Sequence, residues 1–140
     1  MSSLLVLALT GAAAFAQQAP RGLKIEYLEN PVGIDILRPR FSWLTEHTDR
    51  GQKQTADQIV VSLKPEVKAG DQWDSGRVES DSPVNAVYNG KPLESGQTYY
   101  WQVRYWDKAN RASGLSAVAS FETGLLTPAE WKGKWIGGAN

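Results

Sequence analysis

Four carboxylates in this chain could act in pairs, because glycoside hydrolysis needs one carboxylic acid and one carboxylate flanking the bond that breaks. Each of the four lies in or beside a turn that contains Ser, Gly, Lys or Asn. In such turns an Asp side chain usually accepts hydrogen bonds from nearby backbone N–H groups. The spacing of the four residues indicates no cleft, so we expect structural roles for Asp74, Glu79, Asp81 and Asp107.

Other catalytic chemistry is scarce. The chain has no cysteine and one histidine, which excludes disulfides, thiolate nucleophiles and multi-histidine metal sites. The histidine, His47, lies in the polar stretch 46–50, which favours a solvated loop side chain over a catalytic one. We therefore expect no catalytic residue, metal or cofactor. The 15 basic and 15 acidic residues are interleaved, so the basic stripe of a nucleic-acid-binding protein is absent.

The chain has the length of one domain, 140 residues, and no segment after residue 20 has sustained helical periodicity. Apolar and polar residues alternate instead, and Gly, Pro, Asn and Asp interrupt them at short intervals. We interpret residues 71–76 as a turn. The alternation predicts seven strands, at residues 23–27, 41–43, 58–63, 77–80, 84–88, 98–107 and 117–121.

The sixth predicted strand, TYYWQVRYWD at 98–107, carries the strongest signal. Its odd-numbered residues through 105 are apolar or aromatic and its even-numbered face carries the polar groups, so the odd face is expected to point inward. Leu93, a tight turn and Tyr99 have the layout of a tyrosine corner, and Trp43 is expected at the core centre. These features resemble fibronectin type III domains and predict an all-β, seven-stranded antiparallel β-sandwich of fibronectin type III or Ig-like type.

One residue departs from that pattern. Asp57 is in phase with Ile59 of the third predicted strand, where fibronectin type III domains usually have an aromatic residue. Burying an unpaired carboxylate is costly. Either the strand begins after Asp57, or Asp57 lies at an open edge of the sandwich.

Two aromatic residues on the outward face of the sixth strand are candidate binding residues. Tyr100 and Trp106 could stack against a sugar, or could contact another domain, since tryptophan and tyrosine are enriched at interfaces. Plain exposure is the third reading. We take contact with another domain as the leading interpretation and carbohydrate binding as the alternative.

The first sixteen residues have the pattern of a signal peptide. The apolar run at 4–15 is shorter than the roughly 20 residues that a membrane-spanning helix needs. It ends in Ala14-Phe15-Ala16, after which a signal peptidase would cut. Residues 1–3 contain no lysine or arginine, so either the start is mis-assigned or the amino terminus alone supplies the charge. We expect an exported protein with no membrane segment after cleavage.

The remaining boundaries follow from the strands. Residues 17–22 are interpreted as a linker and residues 23–124 as the sandwich. After residue 124 come Trp131, Trp135 and Ile136 with no later segment against which to pack. We interpret residues 125–140 as a linker and the first strand of a further domain that this chain lacks.

Several motifs occur in one order: YLENPVGID at 27–35, PRFSW at 39–43, QTA at 54–56, WDSG at 73–76, SG at 95–96 before YYW at 99–101, WD at 106–107, and WKGKWIG at 131–137. Together they resemble the amino-terminal sandwich of bacterial α-L-rhamnosidases, from Leu23 to Gly138. That family usually has tyrosine at the position of Asp57.

The resemblance implies a large secreted or periplasmic enzyme that removes terminal α-L-rhamnose by inversion. Its catalytic acids would lie in a helical barrel domain far downstream, and no position of this sequence matches their motifs. The leading interpretation is a non-catalytic domain whose partners are the downstream domains of the same enzyme. The alternatives are a stand-alone module that binds rhamnose-containing glycans, or a fibronectin-like interaction module.

Overall fold

The computed structural model describes residues 18–46, 51–67 and 70–126, so the signal segment, His47 and residues 127–140 lie outside the described residues. No helix among the described residues is long and apolar enough to cross a membrane. The described residues form eight strands: β1 Arg21–Ile25, β2 Arg40–Leu44, β3 Gln54–Ser62, β4 Trp73–Asp74, β5 Val78–Glu79, β6 Ala86–Val87, β7 Thr98–Asp107 and β8 Ala119–Glu122.

The strands form two antiparallel sheets. The smaller sheet has the order β1-β2-β6, and the larger has the order β4-β3-β7-β8 with β5 also paired to β3. The predicted all-β antiparallel sandwich is therefore confirmed. The additional strand is β4, which we predicted as a turn and which pairs with Val60 and Val61 of β3. The fifth predicted strand, 84–88, is reduced to the two residues of β6.

Aromatic side chains from both sheets meet in the core. Phe41 of β2 packs its ring against Trp101 of β7, with centroids 4.7 Å apart and planes at 81°. Trp43 is buried as predicted, and its indole N–H donates a hydrogen bond of 3.0 Å to the Gln54 side-chain oxygen. Edge-to-face contacts of this kind add to the free energy gained from apolar burial.

The strand β7 has the bounds that the sequence predicts, 98–107, and it is the centre of the larger sheet. Its odd-numbered residues from Tyr99 to Tyr105 are almost fully buried, and its even-numbered residues are half-buried. It pairs with β3 along most of its length and with β8 at its beginning. The alternation therefore fixes which face of β7 packs in the core.

Asp57 lies inside β3, so the alternative that the strand begins after it is wrong. Its side chain points to the core side in phase with Ile59, and only 4% of the residue is exposed. The Gln54 amide donates a hydrogen bond of 3.0 Å to its carboxylate. Burial raises the pKa of Asp57 to about 6, against the opposing effect of that hydrogen bond. Asp57 pairs with Val78 of β5 on one side and with Tyr105 of β7 on the other, so it does not lie at an edge of its sheet. It lines a cleft instead.

The first strand ends earlier than predicted. We expected the strand to continue through Tyr27, but the chain reverses after Ile25. The Ile25 N–H donates to the Leu28 carbonyl, and the Ile25 carbonyl accepts from the Leu28 N–H. Glu26 and Tyr27 adopt positive φ angles of 50° and 66° in this tight turn. The Glu26 carboxylate accepts hydrogen bonds from the backbone and guanidinium of Arg40, which hold the pKa of Glu26 below its usual range. This ion pair compensates for the unfavourable backbone conformation.

An early loop is hydrogen-bonded to the end of the domain. The N–H of Ile34 donates to the Glu122 carbonyl at 3.0 Å, and the N–H of Gly124 donates to the Ile34 carbonyl at 2.7 Å. The packing extends to Leu126, which is buried and donates its N–H to the Ser95 hydroxyl at 2.7 Å. The core thus includes a residue beyond position 124, where we predicted that the sandwich ends.

Candidate functional site

The candidate site is the outward surface of β7, which we call the outer face and define by Tyr100, Gln102, Arg104 and Trp106. The residues opposite them on β3 are smaller or shorter: Ser62, Val60, Gln58 and Ala56, respectively. Directly opposite residues of neighbouring strands lie about 5 Å apart, so the longer β7 side chains cover them. Ala56 and Ser62 are accordingly buried although they lie on the outward side of the sheet.

One face of the Trp106 ring is covered by an arginine. The guanidinium carbon of Arg77 lies 4.8 Å from the ring centroid, within the range of a cation–π interaction. Arg77 is held by the Glu79 carboxylate at 3.0 Å and by the Asn110 side-chain oxygen at 2.7 Å. This arrangement fixes the indole and leaves less of it open for stacking.

Tyr100 and Trp106 share the outer face but lie far apart on it. Six residues of extended strand separate them, which corresponds to about 20 Å. Tyr100 is flanked by two serines, Ser62 on β3 and Ser120 on β8, so no large side chain stands directly opposite its ring. The two aromatics therefore cannot contact one sugar ring together.

Arg104 lies between the two aromatics. Its Nε–H is buried and has no hydrogen-bond partner within the described part of the chain. The residue opposite Arg104 on β3, Gln58, donates to the Asp74 Oδ1 at 2.8 Å, and the same oxygen accepts from the Gly76 N–H at 2.9 Å. A buried N–H group without a partner is costly, so this donor gains from a carboxylate or carbonyl that comes within hydrogen-bond distance.

Asp107 has the structural role that its turn position predicts. It is fully buried, and its carboxylate accepts hydrogen bonds from the N–H groups of Ala109 and Arg111, both at 2.9 Å. The guanidinium of Arg111 adds a charged contact at 3.0 Å. These contacts close the turn after β7 and leave the carboxylate with no open approach for a substrate.

The other three carboxylates lie apart and are occupied as well. Asp74 caps the turn to Gly76, Glu79 pairs with Arg77, and Asp81 lies 3.7 Å from the Lys53 ammonium. Among the described residues, no group of three or more acidic or histidine side chains is placed to hold a metal ion. Each of the four candidate carboxylates is therefore engaged by a hydrogen-bond or ion-pair partner.

Sequence comparison identifies the domain. Residues 20–127 match the family described as the Rha78A-like, N-terminal immunoglobulin domain. The chain belongs to this family. A curated α-L-rhamnosidase from Formosa agariphila is 42% identical over 114 residues, which are 80% of this chain and 12% of that protein. One from Streptomyces avermitilis is 41% identical over 113 residues, or 80% of this chain and 11% of that protein.

Solved structures agree with this family of Ig-like domains. The α-L-rhamnosidase from Dictyoglumus thermophilum superposes with a TM-score of 0.75 at 43% identity, over 81% of this chain and 13% of that one. The Streptomyces avermitilis enzyme, solved with L-rhamnose, has the same TM-score at 37% identity, over 81% of this chain and 11% of that one. This Ig-like domain thus corresponds to the N-terminal region of α-L-rhamnosidases and spans about an eighth of their length.

Sequence reasoning placed Tyr100 and Trp106 on one face but missed Arg77 and the unpaired state of Arg104. The alternation along β7 predicts that Tyr100 and Trp106 share a face, because the face of a side chain depends only on its position along the strand. Arg77 reaches Trp106 through the pairing of β5 and β7 with β3, and no local pattern encodes that contact. The signal for Arg104 is weaker still: it is an arginine amid aromatics with no acidic residue two positions away on its own strand.

Proposed function

We propose that this Ig-like domain is a non-catalytic part of a secreted α-L-rhamnosidase, and that its outer face packs against another domain of the same enzyme. The relatives named above are α-L-rhamnosidases of which the matched region is only 11–13%. Removal of terminal α-L-rhamnose from glycosides would then belong to the longer protein and not to the described residues.

The observation that carries the proposed docking is the unsatisfied Nε–H of Arg104, which lies between Tyr100 and Trp106. Arginine, tyrosine and tryptophan are the residue types enriched at protein interfaces. A partner domain that supplies a carboxylate or backbone carbonyl would pair with the Nε–H once the Arg104 side chain turns outward, and would cover Tyr100. In an isolated domain the same donor remains unsatisfied.

Carbohydrate binding on the outer face has less support. Tyr100 and Trp106 are about 20 Å apart on one strand, and Arg77 covers one face of the Trp106 ring. The Gln102 amide, which could orient a sugar, already donates to the Ser116 carbonyl at 2.6 Å. Rhamnose-containing glycans are therefore the alternative ligand of this face, and the experiment below distinguishes them from a domain.

The test is to read the DNA beyond codon 140, express the complete reading frame, and compare its hydroxyl-radical footprint with that of the 140-residue chain. We expect Tyr100 and Trp106 to be oxidised less in the longer protein. Tyr27, half-exposed on the β1–β2 side, is the control and should be oxidised equally in both. A stop codon after Asn140, or equal oxidation of Tyr100 and Trp106, would contradict docking. Protection of these residues by rhamnosides would favour the glycan alternative.

A second test addresses the isolated domain's chemistry. Each of the four candidate carboxylates has a structural partner, so the 140-residue chain should release no rhamnose from an aryl rhamnoside. Turnover above a buffer blank that is lost in Asp74→Asn or Asp107→Asn would refute the non-catalytic assignment.

Export is the third part of the proposal. Cleavage after Ala16 should leave Gln17 as the mature amino terminus, because Ala14-Phe15-Ala16 has the small residues that a signal peptidase requires. Mass spectrometry of protein recovered from the periplasm or medium measures this directly. Recovery only of a cytoplasmic product with an intact amino terminus would contradict secretion.

A further inference from the structure

A cleft opens at one edge of the sandwich, on the opposite side of the larger sheet from the outer face. Three strands of only two residues each, β4, β5 and β6, leave this edge incompletely closed. The cleft has a volume of 440 Å³, within the range of small-molecule sites. Its wall combines a buried carboxylate, two amides, an aromatic ring and apolar side chains, among them Asp57, Asn85, Asn89, Trp73, Val78 and Val84.

Asp57 provides an acceptor in the cleft. One carboxylate oxygen accepts from Gln54, and the other has no hydrogen-bond partner among the described residues. No lysine or arginine in the described ranges forms an ion pair with it, although the residue is almost fully buried. A carboxylate in that environment loses hydration and gains most from a donor that enters the cleft.

Asn85 and Asn89 provide donors. The side-chain oxygen of Asn85 accepts a hydrogen bond from the Tyr27 hydroxyl, and that of Asn89 accepts from Arg38 at 3.3 Å. Each amide is thereby oriented, and each NH₂ group has no partner within the described part of the chain. Asn85 also adopts a φ of 61°, a conformation kept when the surroundings hold the residue in place.

The rest of the wall is apolar and partly exposed. Trp73 is half-buried. Its ring centroid lies 5.0 Å from that of Tyr88 with the planes at 69°, so the Tyr88 ring holds the indole in place. Val78 and Val84 are 44% and 46% exposed although they line the same cleft. Apolar surface next to oriented polar groups is the composition of a ligand site.

We propose that this cleft binds a neutral sugar of monosaccharide size, with one hydroxyl donating to Asp57, another accepting from Asn85 or Asn89, and the ring's apolar face against Trp73 and the valines. A sugar hydroxyl can both donate and accept a hydrogen bond. The hydroxyls of one sugar can therefore pair with the Asp57 carboxylate and with the amide donors of Asn85 and Asn89. An organic cation would satisfy Asp57 but not the two amide donors. The proposal is independent of docking through the outer face, since the two surfaces share none of their defining residues.

The test is isothermal titration of the full 140-residue chain with L-rhamnose, D-galactose and D-glucose, and with arginine as a cationic probe. We expect saturable binding of at least one sugar at roughly millimolar affinity. Asp57→Asn should weaken it about tenfold or more, because the unpaired acceptor loses its charge. Asn89→Asp, which replaces the donor by an acceptor, should weaken it as well. Asp81→Asn is the matched control, since Asp81 is an exposed acid in the loop beside the cleft but does not line it.

Three results would overturn the proposal. The first is that no sugar gives saturable binding up to about 100 mM, beyond which affinity is negligible. The second is that arginine binds and loses affinity in Asp57→Asn while no sugar does. Equal sugar affinity in wild type and Asp57→Asn, with a well-dispersed NMR spectrum for both, would place any binding elsewhere and would also refute it. Docking through the outer face would be unaffected by any of these outcomes.

Discussion

The hydroxyl oxygen of Tyr99 accepts a hydrogen bond of 2.7 Å from the backbone N–H of Glu94. This is the tyrosine corner that the sequence predicts, with the ring in the core and the hydroxyl bonded to the chain upstream. Burial raises the pKa of Tyr99, with the Glu94 N–H acting in the opposite direction. The neutral phenol is therefore the form that closes the loop before β7.

The pair Tyr99 and Tyr100 tests this contact. Tyr99→Phe removes the acceptor of the Glu94 N–H, so we expect a loss of about 1–3 kcal/mol in the free energy of unfolding. Tyr100→Phe, on the outer face, should change that free energy by no more than about 0.5 kcal/mol. Urea unfolding followed by fluorescence measures both. Equal losses at the two positions would show that the corner contributes nothing of its own.

Stability should depend on pH through Asp57. Its pKa is raised from 3.8 to about 6 in the folded state, so folding favours the protonated carboxyl. The stabilisation is complete below pH 3.8 and is lost as pH rises through about 6. Asp57→Asn should therefore flatten the dependence of Tm on pH in this window and give a higher Tm than wild type at pH 7.

The control for that experiment is Asp81→Asn, an exposed acid with a weak ion pair to Lys53. Its Tm profile should keep the wild-type slope between pH 4 and 6, because exposed pairs contribute little to stability. If both variants retain the slope, the dependence comes from another group and the assignment to Asp57 is wrong.

Gly90 lies very close to the side chains of Trp73 and Tyr88. A Cβ at this position would lie 2.4 Å from the Cβ of Trp73 and 2.6 Å from the Tyr88 hydroxyl. Gly90→Ala should therefore destabilise the domain by about 1–3 kcal/mol through overpacking. Gly114→Ala is the matched control, because nothing lies within 4 Å of its Cβ. The midpoints of thermal unfolding of the two variants are compared. Similar midpoints would mean that Trp73 and Tyr88 move aside at little cost in free energy.

The structural role of the Asp107 carboxylate in the turn after β7 can be tested by substitution. It is buried and accepts from two backbone N–H groups and from Arg111. Asp107→Ala should cost about 3 kcal/mol or more, since it removes the buried carboxylate that accepts from Arg111 and from the N–H groups of the turn. Asp81→Ala should change the free energy of unfolding by about 0.5 kcal/mol at most. Denaturant titration decides the matter: a loss at Asp107 no larger than at Asp81 would contradict its role in the turn.

The sequence predicts most of the fold where the signal is local. The ten residues of β7 alternate without interruption, so both the bounds and the buried face of this strand follow from the pleat. The strand β4 was missed because Asp71 and Gly76 give its surroundings the composition of a turn, while its pairing partners lie on β3. The reversal at Glu26 and Tyr27 was missed because neither residue type favours a positive φ.

The candidate sites depend on contacts between distant parts of the chain. The cover of Trp106 by Arg77 and the free oxygen of Asp57 arise only when β5, β6 and the loops beside them are assembled. Periodicity along a strand tells which face a side chain occupies but not what approaches it from another strand. Asp57 was nevertheless marked by the sequence, since a carboxylate in phase with core residues breaks the pattern.

The hydrogen bonds between Ile34 and the segment around Thr123 have a consequence for biosynthesis. An early loop finds its partner only after β8 has been made, and β7 lacks one of its two neighbours until then. On the ribosome the growing chain therefore lacks its final tertiary contacts until the last strand emerges, because non-local pairing must wait for both segments.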